Sequence, residues 1–334
     1  MKQSIIILTS IFLSLSSFGQ EFKTATIDGI LKKDTVFVYP KQYDFEHYQG
    51  FVKDSLPTGK WVAYFEDSAS IAFTGHYKNG KPNGLFQYYF KNGKVRHTCV
   101  YKDGIENGPF TYWDKGGAIS MIGQKVNDKN EGVWYDWWSN GNIRKYYIWE
   151  NGIQNGIDKY FNSNGTLDRI GKYSNGYQIG EWRFYYKNGQ LKKLQFFVDS
   201  LSPKELKVIS KYENTIATLY FPVGTWKEWD EKGNLISETN FDGSYEIDKQ
   251  TYYYPSGAKK TETNFQGFHQ GFCSQNPSYF IKNGLFQEWH ENGKPKTTGM
   301  WENNIKEGNW TYFTNTGNIE KIEVYKNKEL IEVK

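Results

Sequence analysis

A repeat of about 24 residues runs from Gly59 almost to the C-terminus, and it constrains the fold more than any other feature. The template opens on Gly. An aromatic follows two and five positions later, Gly nine later, an aliphatic eleven later, an aromatic seventeen later and Gly twenty later. Clean copies open at Gly84, Gly108, Gly132, Gly156 and Gly180, and looser ones at Gly59, Gly224, Asp248, Gly284 and Gly308. A fixed period in this range means stacked supersecondary units, each burying its surface against its neighbours. That argues against a compact enzyme and overrides the two-domain count that 334 residues suggest.

Each copy has strand, turn, strand, turn character. In Gly84–Val95, aromatic-rich residues run for about six positions before Lys91-Asn92-Gly93 breaks them. Asn-Gly is a strong hairpin signal because both residues tolerate positive φ, and it recurs at 140–141, 164–165, 188–189 and 292–293. The expected fold is all-β: an elongated single-sheet antiparallel meander of about ten stacked β-hairpin repeats. Twenty strands at ~4.8 Å would give a length near ~90 Å. The fifth position is aromatic in all ten copies and the second in eight, with Asp158 and Gln250 as exceptions. These positions have opposite parity. Either both faces carry aromatics, or a bulge in each strand turns one ring over. In the second strand, Val95, Cys99 and Tyr101 share a parity, as do Ile143, Tyr147 and Trp149, and that face is expected to pack.

The recurring Gly-x-Trp-x-x-Tyr-x-x-Asn-Gly, followed by Tyr-x-Asn-Gly-Lys-x-x-Gly, resembles the MORN-repeat variant found in many bacterial proteins. Gly180–Gly189 and Tyr77–Gly84 carry it most closely. The resemblance covers residues 59–328 and implies a single twisted sheet of stacked hairpins. It implies interaction and scaffolding roles without catalysis by the repeats, and some relatives are labelled antitoxin-like.

Residues 1–19 have the pattern of a secretory signal peptide: Lys2, an apolar run from Ile5 to Leu15, and small residues at Ser17 and Gly19. The run is too short to span a bilayer. The chain is therefore expected to be exported, to the periplasm or beyond, with a mature start at Gln20. Residues 20–58 lack a complete repeat and read as an N-terminal cap over the first exposed strand. The array occupies 59–334, with insertions at 198–223 and 272–283 that fall at the same phase, after the second strand. Net charge is +4 with both signs interspersed, which leaves no nucleic-acid or membrane footprint. The stacking places Cys99 and Cys273 far beyond disulfide reach, so both read as free and buried.

The chemistry of an active site is missing from the pattern. His269, Cys273 and His290 are the one possible metal cluster, and Asp242, Glu246 and Asp248 read better as a solvated turn. No nucleophile elbow, phosphate loop or zinc-protease motif occurs. The reading is no enzyme, no metal and no cofactor. Exposed aromatics are the remaining resource. Tyr88, Trp138, Tyr186 and Tyr254 stand beside the template positions. Tyr212, Tyr220 and Phe221 in the first insertion, with Phe272, Tyr279 and Phe280 in the second, supply further anchors. Three function classes follow: a protein-interaction scaffold, a carbohydrate or cell-envelope binding module, and an antitoxin- or immunity-like protein that masks a partner.

Overall fold

The computed structural model describes residues 10–11, 20–24, 36–40, 45–53, 56–65, 70–198, 222–241, 247–266 and 281–334. The chain divides into two compact units, Met1–Ile153 and Gln154–Lys334. Both are built from antiparallel β-hairpins, and the described residues contain no helix. The all-β hairpin-repeat fold expected from the period is present.

In the first unit the hairpin strands are Leu56–Phe65 with Ile71–Lys78, Gly84–Tyr89 with Val95–Lys102, Gly108–Trp113 with Ile119–Val126, and Lys129–Trp137 with Ile143–Glu150. Ahead of them Phe45–Lys53 pairs with Leu56–Phe65, inside the segment read as a cap. Ser10–Ile11, Gln20–Thr24 and Val36–Pro40 form a separate antiparallel sheet. In the second unit the sequence continues from Gly156–Phe161 with Leu167–Ser174 through to Ile305–Phe313, Ile319–Lys326 and a last strand, Glu329–Val333.

Asn-Gly pairs serve in two different turn types, and the one between the strands of a hairpin is not the two-residue turn. At Asn92-Gly93 only Gly93 has positive φ, and Gly93 N donates to Phe90 O at 2.9 Å. This is a four-residue turn, Phe90 to Gly93, whose last residue is a left-handed glycine. Asn92 serves through its side chain: Oδ1 accepts from Lys94 N, and Nδ2 donates to Lys115 O in the next hairpin at 3.1 Å. The two-residue turns with positive φ at both positions are at the other edge, at Asn79-Gly80, Asn127-Asp128 and Asn175-Gly176 among others.

The parity question resolves through a bulge on the second strand. In every hairpin the register slips between the fourth and fifth template positions: Met121 faces Tyr112, whereas Ile119 faces Trp113, leaving Ser120 as the extra residue. In the Ile143–Glu150 strand the extra residue is Arg144, and Arg144 and Lys145 both turn to one face. Arg144 reaches Asp136 at 2.9 Å, while Lys145 lies 4.3 Å above the Tyr147 ring. The first strand keeps its alternation, so aromatics occupy both faces. Second- and fourth-position side chains define a ring face, and third- and fifth-position side chains an open face.

This corrects part of the expected packed face. Cys99 and Tyr147 are buried on the ring face, with Tyr101 4.8 Å from the Phe86 ring and Trp149 6.1 Å from Tyr147. Val95 and Ile143 lie beyond the bulge, pair with Tyr89 and Trp137, and stand on the open face.

A second glycine rule emerges on the ring face. Five second-position rings lie on the backbone of a glycine eleven residues earlier: Trp61 on Gly50, Phe86 on Gly75 and Trp134 on Gly123 in the first unit, and Trp182 on Gly171 and Trp310 on Gly299 in the second. A ring laid on a bare strand fills the space that a side chain would otherwise take, and this buries Trp61, Phe86, Trp134, Trp182 and Trp310 almost completely. The first unit adds a contiguous cluster of Trp61, Ala63, Phe65, Ala72, Phe73, Phe86 and Cys99.

Candidate interaction surface

The six insertion aromatics, Tyr212, Tyr220, Phe221, Phe272, Tyr279 and Phe280, lie outside the described residues, as do Cys273, His269, Asp242 and Glu246. The first insertion leaves and re-enters the sheet at adjacent points, where Phe197 bridges to Pro222 and Val223 N donates to Phe196 O.

The four other candidate rings are engaged within the protein. Tyr88 is on the ring face, stacked on His97 at 4.1 Å and 11° and packed 5.4 Å from Phe73. Trp138, Tyr186 and Tyr254 occupy the sixth template position. Each is covered by a cation from the bulge: Arg144 at 5.6 Å, Lys192 at 5.3 Å and Lys260 at 5.6 Å. Tyr186 OH donates to Trp229 O at 2.9 Å and Tyr254 OH to Trp289 O at 3.0 Å. His290 Nε2, at the same template position, is 3.1 Å from Phe313 O. Tyr186, Tyr254 and His290 thus tie one hairpin to the next.

The ring face is self-covered and polar where it is not aromatic. Asp136 is buried and accepts from Arg144 and, at 3.0 Å, from Tyr147 OH. Glu106 joins Lys125 at 2.5 Å and accepts from Tyr101 OH. His97 lies among the rings of Tyr88, Phe110 and Tyr112 and accepts at Nδ1 from Arg96 Nε at 3.3 Å. Burial, followed by the charges of Arg96 and Lys125, holds its imidazole down at about 4. Burial also pushes the Cys99 thiol up to about 12, so it is a packing residue. In the second unit, the Lys306 ammonium is enclosed by Trp310, Tyr325 and Tyr312 at 4.5, 5.0 and 5.6 Å. Glu323 beside it is held at about 2 by its hydrogen bonds from Lys321 and Tyr312.

The open face is the surface the sequence reading did not single out. In the hairpin opening at Gly84 it presents Leu85, Gln87, Tyr89, Val95, Thr98 and Val100. In the next it presents Pro109, Thr111, Trp113, Ile119, Ile122 and Gln124. In the third it presents Val133, Tyr135, Trp137, Ile143, Tyr146 and Ile148. None of these is charged and none is buried. Leu85, Ile119, Val133 and Ile143 are 50, 46, 41 and 39% exposed. In the second unit the same positions carry ion pairs from 181 to 262. Lys227 bonds Glu238 at 2.8 Å, Tyr253 OH donates to Glu238 at 2.6 Å, and Lys249 and Lys259 both reach Glu262. The sequence signal was available: alternate positions without charge across three successive hairpins. The bulge concealed it by making the eleventh-position aliphatics look like core. Among the described residues no group of His, Cys, Asp and Glu could hold a metal ion.

Five segments match the MORN repeat variant. They are residues 82–103, 178–199, 222–242, 282–303 and 306–327. The hairpins opening at Gly108, Gly132 and Gly156 fall outside the matched segments but share their bulge with these MORN-variant copies. No curated protein matches the chain. Among solved structures, a chain of "Crystal Structure of TcdB2-TccC3-Cdc42" is similar at 12% identity and a TM-score of 0.17, covering 94% of this chain and 20% of that one. A chain of "Crystal Structure of TcdB2-TccC3" has the same identity and TM-score and covers 92% and 20%. This chain thus spans about a fifth of those chains. At that TM-score the likeness assigns neither fold nor function.

Proposed function

We propose that this MORN-variant repeat protein is a non-catalytic interaction scaffold, exported by its N-terminal leader, that docks a protein on the open face of its first unit. One observation carries the reading: the face of the three hairpins from Gly84 to Glu150, uncharged between its edge turns, with Leu85, Ile119, Val133 and Ile143 exposed on it. Contiguous exposed apolar surface of several hundred Å² marks interaction sites on soluble proteins. The rigid hairpin ladder beneath holds those side chains in fixed rows, so docking on them requires no ordering of loops. Lys2 and the apolar run Ile5–Leu15 support export. N-terminal sequencing of the secreted protein is expected to begin at Gln20.

The test is capture of envelope and culture proteins by the wild type and by a Val133→Lys, Ile143→Lys variant. A discrete protein held by the first and lost by the folded second supports the reading. Equal capture overturns it. The carbohydrate reading keeps one feature in its favour, the row of Tyr89, Trp113 and Trp137 on the open face, one per hairpin. Retention of the chain on insoluble envelope polysaccharide, abolished by Trp113→Ala, would select it.

A further inference from the structure

We propose that the open face of the hairpins from Gly84 to Glu150 packs against the same face of a second copy of the chain, forming a two-sheet sandwich about a two-fold axis. The proposal rests on the reading of this face as the docking surface, and it names the occupant.

Charge is the first argument. In a two-fold interface a surface meets itself, and an uncompensated charge near the axis meets its own copy. A face that pairs with itself must be neutral there. Between the edge turns the open-face positions of these three hairpins carry no charged side chain, with Lys102, Glu131 and Glu150 standing at the turn edge. The hairpins opening at Gly180 and Asp248 instead carry Glu181, Arg183, Lys249 and Glu262 in the corresponding positions.

The distribution of apolar surface is the second argument. In the long strands from Gly84 to Glu150 the exposed large apolar side chains are Leu85, Ile119, Val133 and Ile143, and all four belong to this face. The opposite face buries its rings on glycines and covers the remainder with Asp136, Arg144, Glu106 and Lys125.

Area is the third. Six strands at ~4.8 Å, each contributing about six residues at ~3.3 Å, give a planar footprint of about 550 Å² per copy. Two copies bury about 1,100 Å², above the ~1,000 Å² that separates specific interfaces from incidental contacts. Twisted sheets stack face to face at ~10 Å with interdigitating side chains, which suits rows of Ile, Val, Leu and aromatic residues.

The experiment is sedimentation equilibrium on the full chain at 0.1 and 0.5 M salt. The expected result is a dimer whose dissociation constant does not weaken with salt, because no ion pairs hold it. Val133→Lys with Ile143→Lys should weaken the dimer at least tenfold while leaving the circular dichroism spectrum and melting temperature unchanged. Ile319→Lys, at an exposed apolar side chain in the second unit, should leave the dimer intact. A monomeric wild type at tens of micromolar, a dimer unmoved by the double substitution, or equal loss in the Ile319 variant would overturn the pairing. A monomer whose protein capture is still abolished by the double substitution would overturn self-pairing and leave the docking reading standing.

Discussion

The Trp182 indole lies flat on the backbone of Gly171, eleven residues before it and on the neighbouring strand. A methyl group at Gly171 would sit 2.1 Å from Trp182 Cδ2 and 2.2 Å from Cε2. The same relation joins Trp134 to Gly123. Gly171→Ala is therefore expected to expel the ring from its seat and cost about 3 kcal/mol, at the upper end of overpacking penalties. The backbone at Gly171 is not left-handed, so steric exclusion is the whole effect. Urea unfolding of this variant beside Gly189→Ala, where positive φ and not contact excludes a side chain, separates the two causes. An unperturbed Gly171→Ala would show that the ring has another place to go.

The two indoles differ in one respect. Trp182 Nε1 donates to Lys172 O at 3.2 Å, whereas the buried Trp134 Nε1 has no hydrogen-bond partner. Trp182→Phe should cost about 1 kcal/mol more than Trp134→Phe, because only the first leaves a lost bond behind. Trp→Ala at either site removes a whole buried ring and should cost ~3–5 kcal/mol. Chemical denaturation of the four variants measures this. Tyr88→Ala belongs with the costly group, since Tyr88 is packed between His97 and Phe73.

His97 gives the first unit a pH dependence. Its folded value of about 4 lies below the ordinary 6.5, so the unfolded chain binds the proton more readily. Stability attributable to this group is complete above pH ~6.5, falls as pH drops toward 4, and is gone below it, a loss of roughly 2 kcal/mol after allowing for its partial exposure. Unfolding free energies at pH 7.5 and 4.5 should diverge less in His97→Phe than in the wild type. Equal divergence would place the titration elsewhere.

The Tyr186 and Tyr254 hydroxyls each hold the following hairpin through a backbone carbonyl. Tyr186→Phe and Tyr254→Phe should each cost about 1 kcal/mol. The loss should appear in hydrogen exchange as faster opening of the adjoining hairpin, since stability in a repeat array is a sum of neighbour terms. Lys192→Ala, which removes an exposed cation from the Tyr186 ring, should cost less.

The period made the hairpins legible, because Gly, Asn and aromatic residues mark turns and strands through local backbone chemistry. It did not reveal that Asn92 acts through its side chain, bridging to Lys115 O, while positive φ falls on Gly93 and on Asn79-Gly80. Propensity for a conformation does not say which turn of a repeat will use it. The candidate site was the least legible part. Tyr88, Trp138, Tyr186 and Tyr254 stood out by lying off the template, but a ring off the template can still close a contact between repeats, as Tyr88, Tyr186 and Tyr254 do, or lie under a cation of its own hairpin, as Trp138 does.

The sequence alone determined the unit, its number of copies and its class, since a recurring Gly-aromatic-Asn-Gly spacing admits only stacked hairpins. Tertiary structure decided which face stays open. Counting by twos placed Val95 with Cys99 and Ile143 with Tyr147, but one extra residue in each second strand, Arg96 or Arg144, moves the residues before it to the other side. Side-chain alternation is a property of an unbroken ladder, and a bulge exists only once two strands are paired. The seat of Trp182 on Gly171 has the same origin: eleven residues separate them in the chain, and only pairing across strands brings a ring onto a bare backbone.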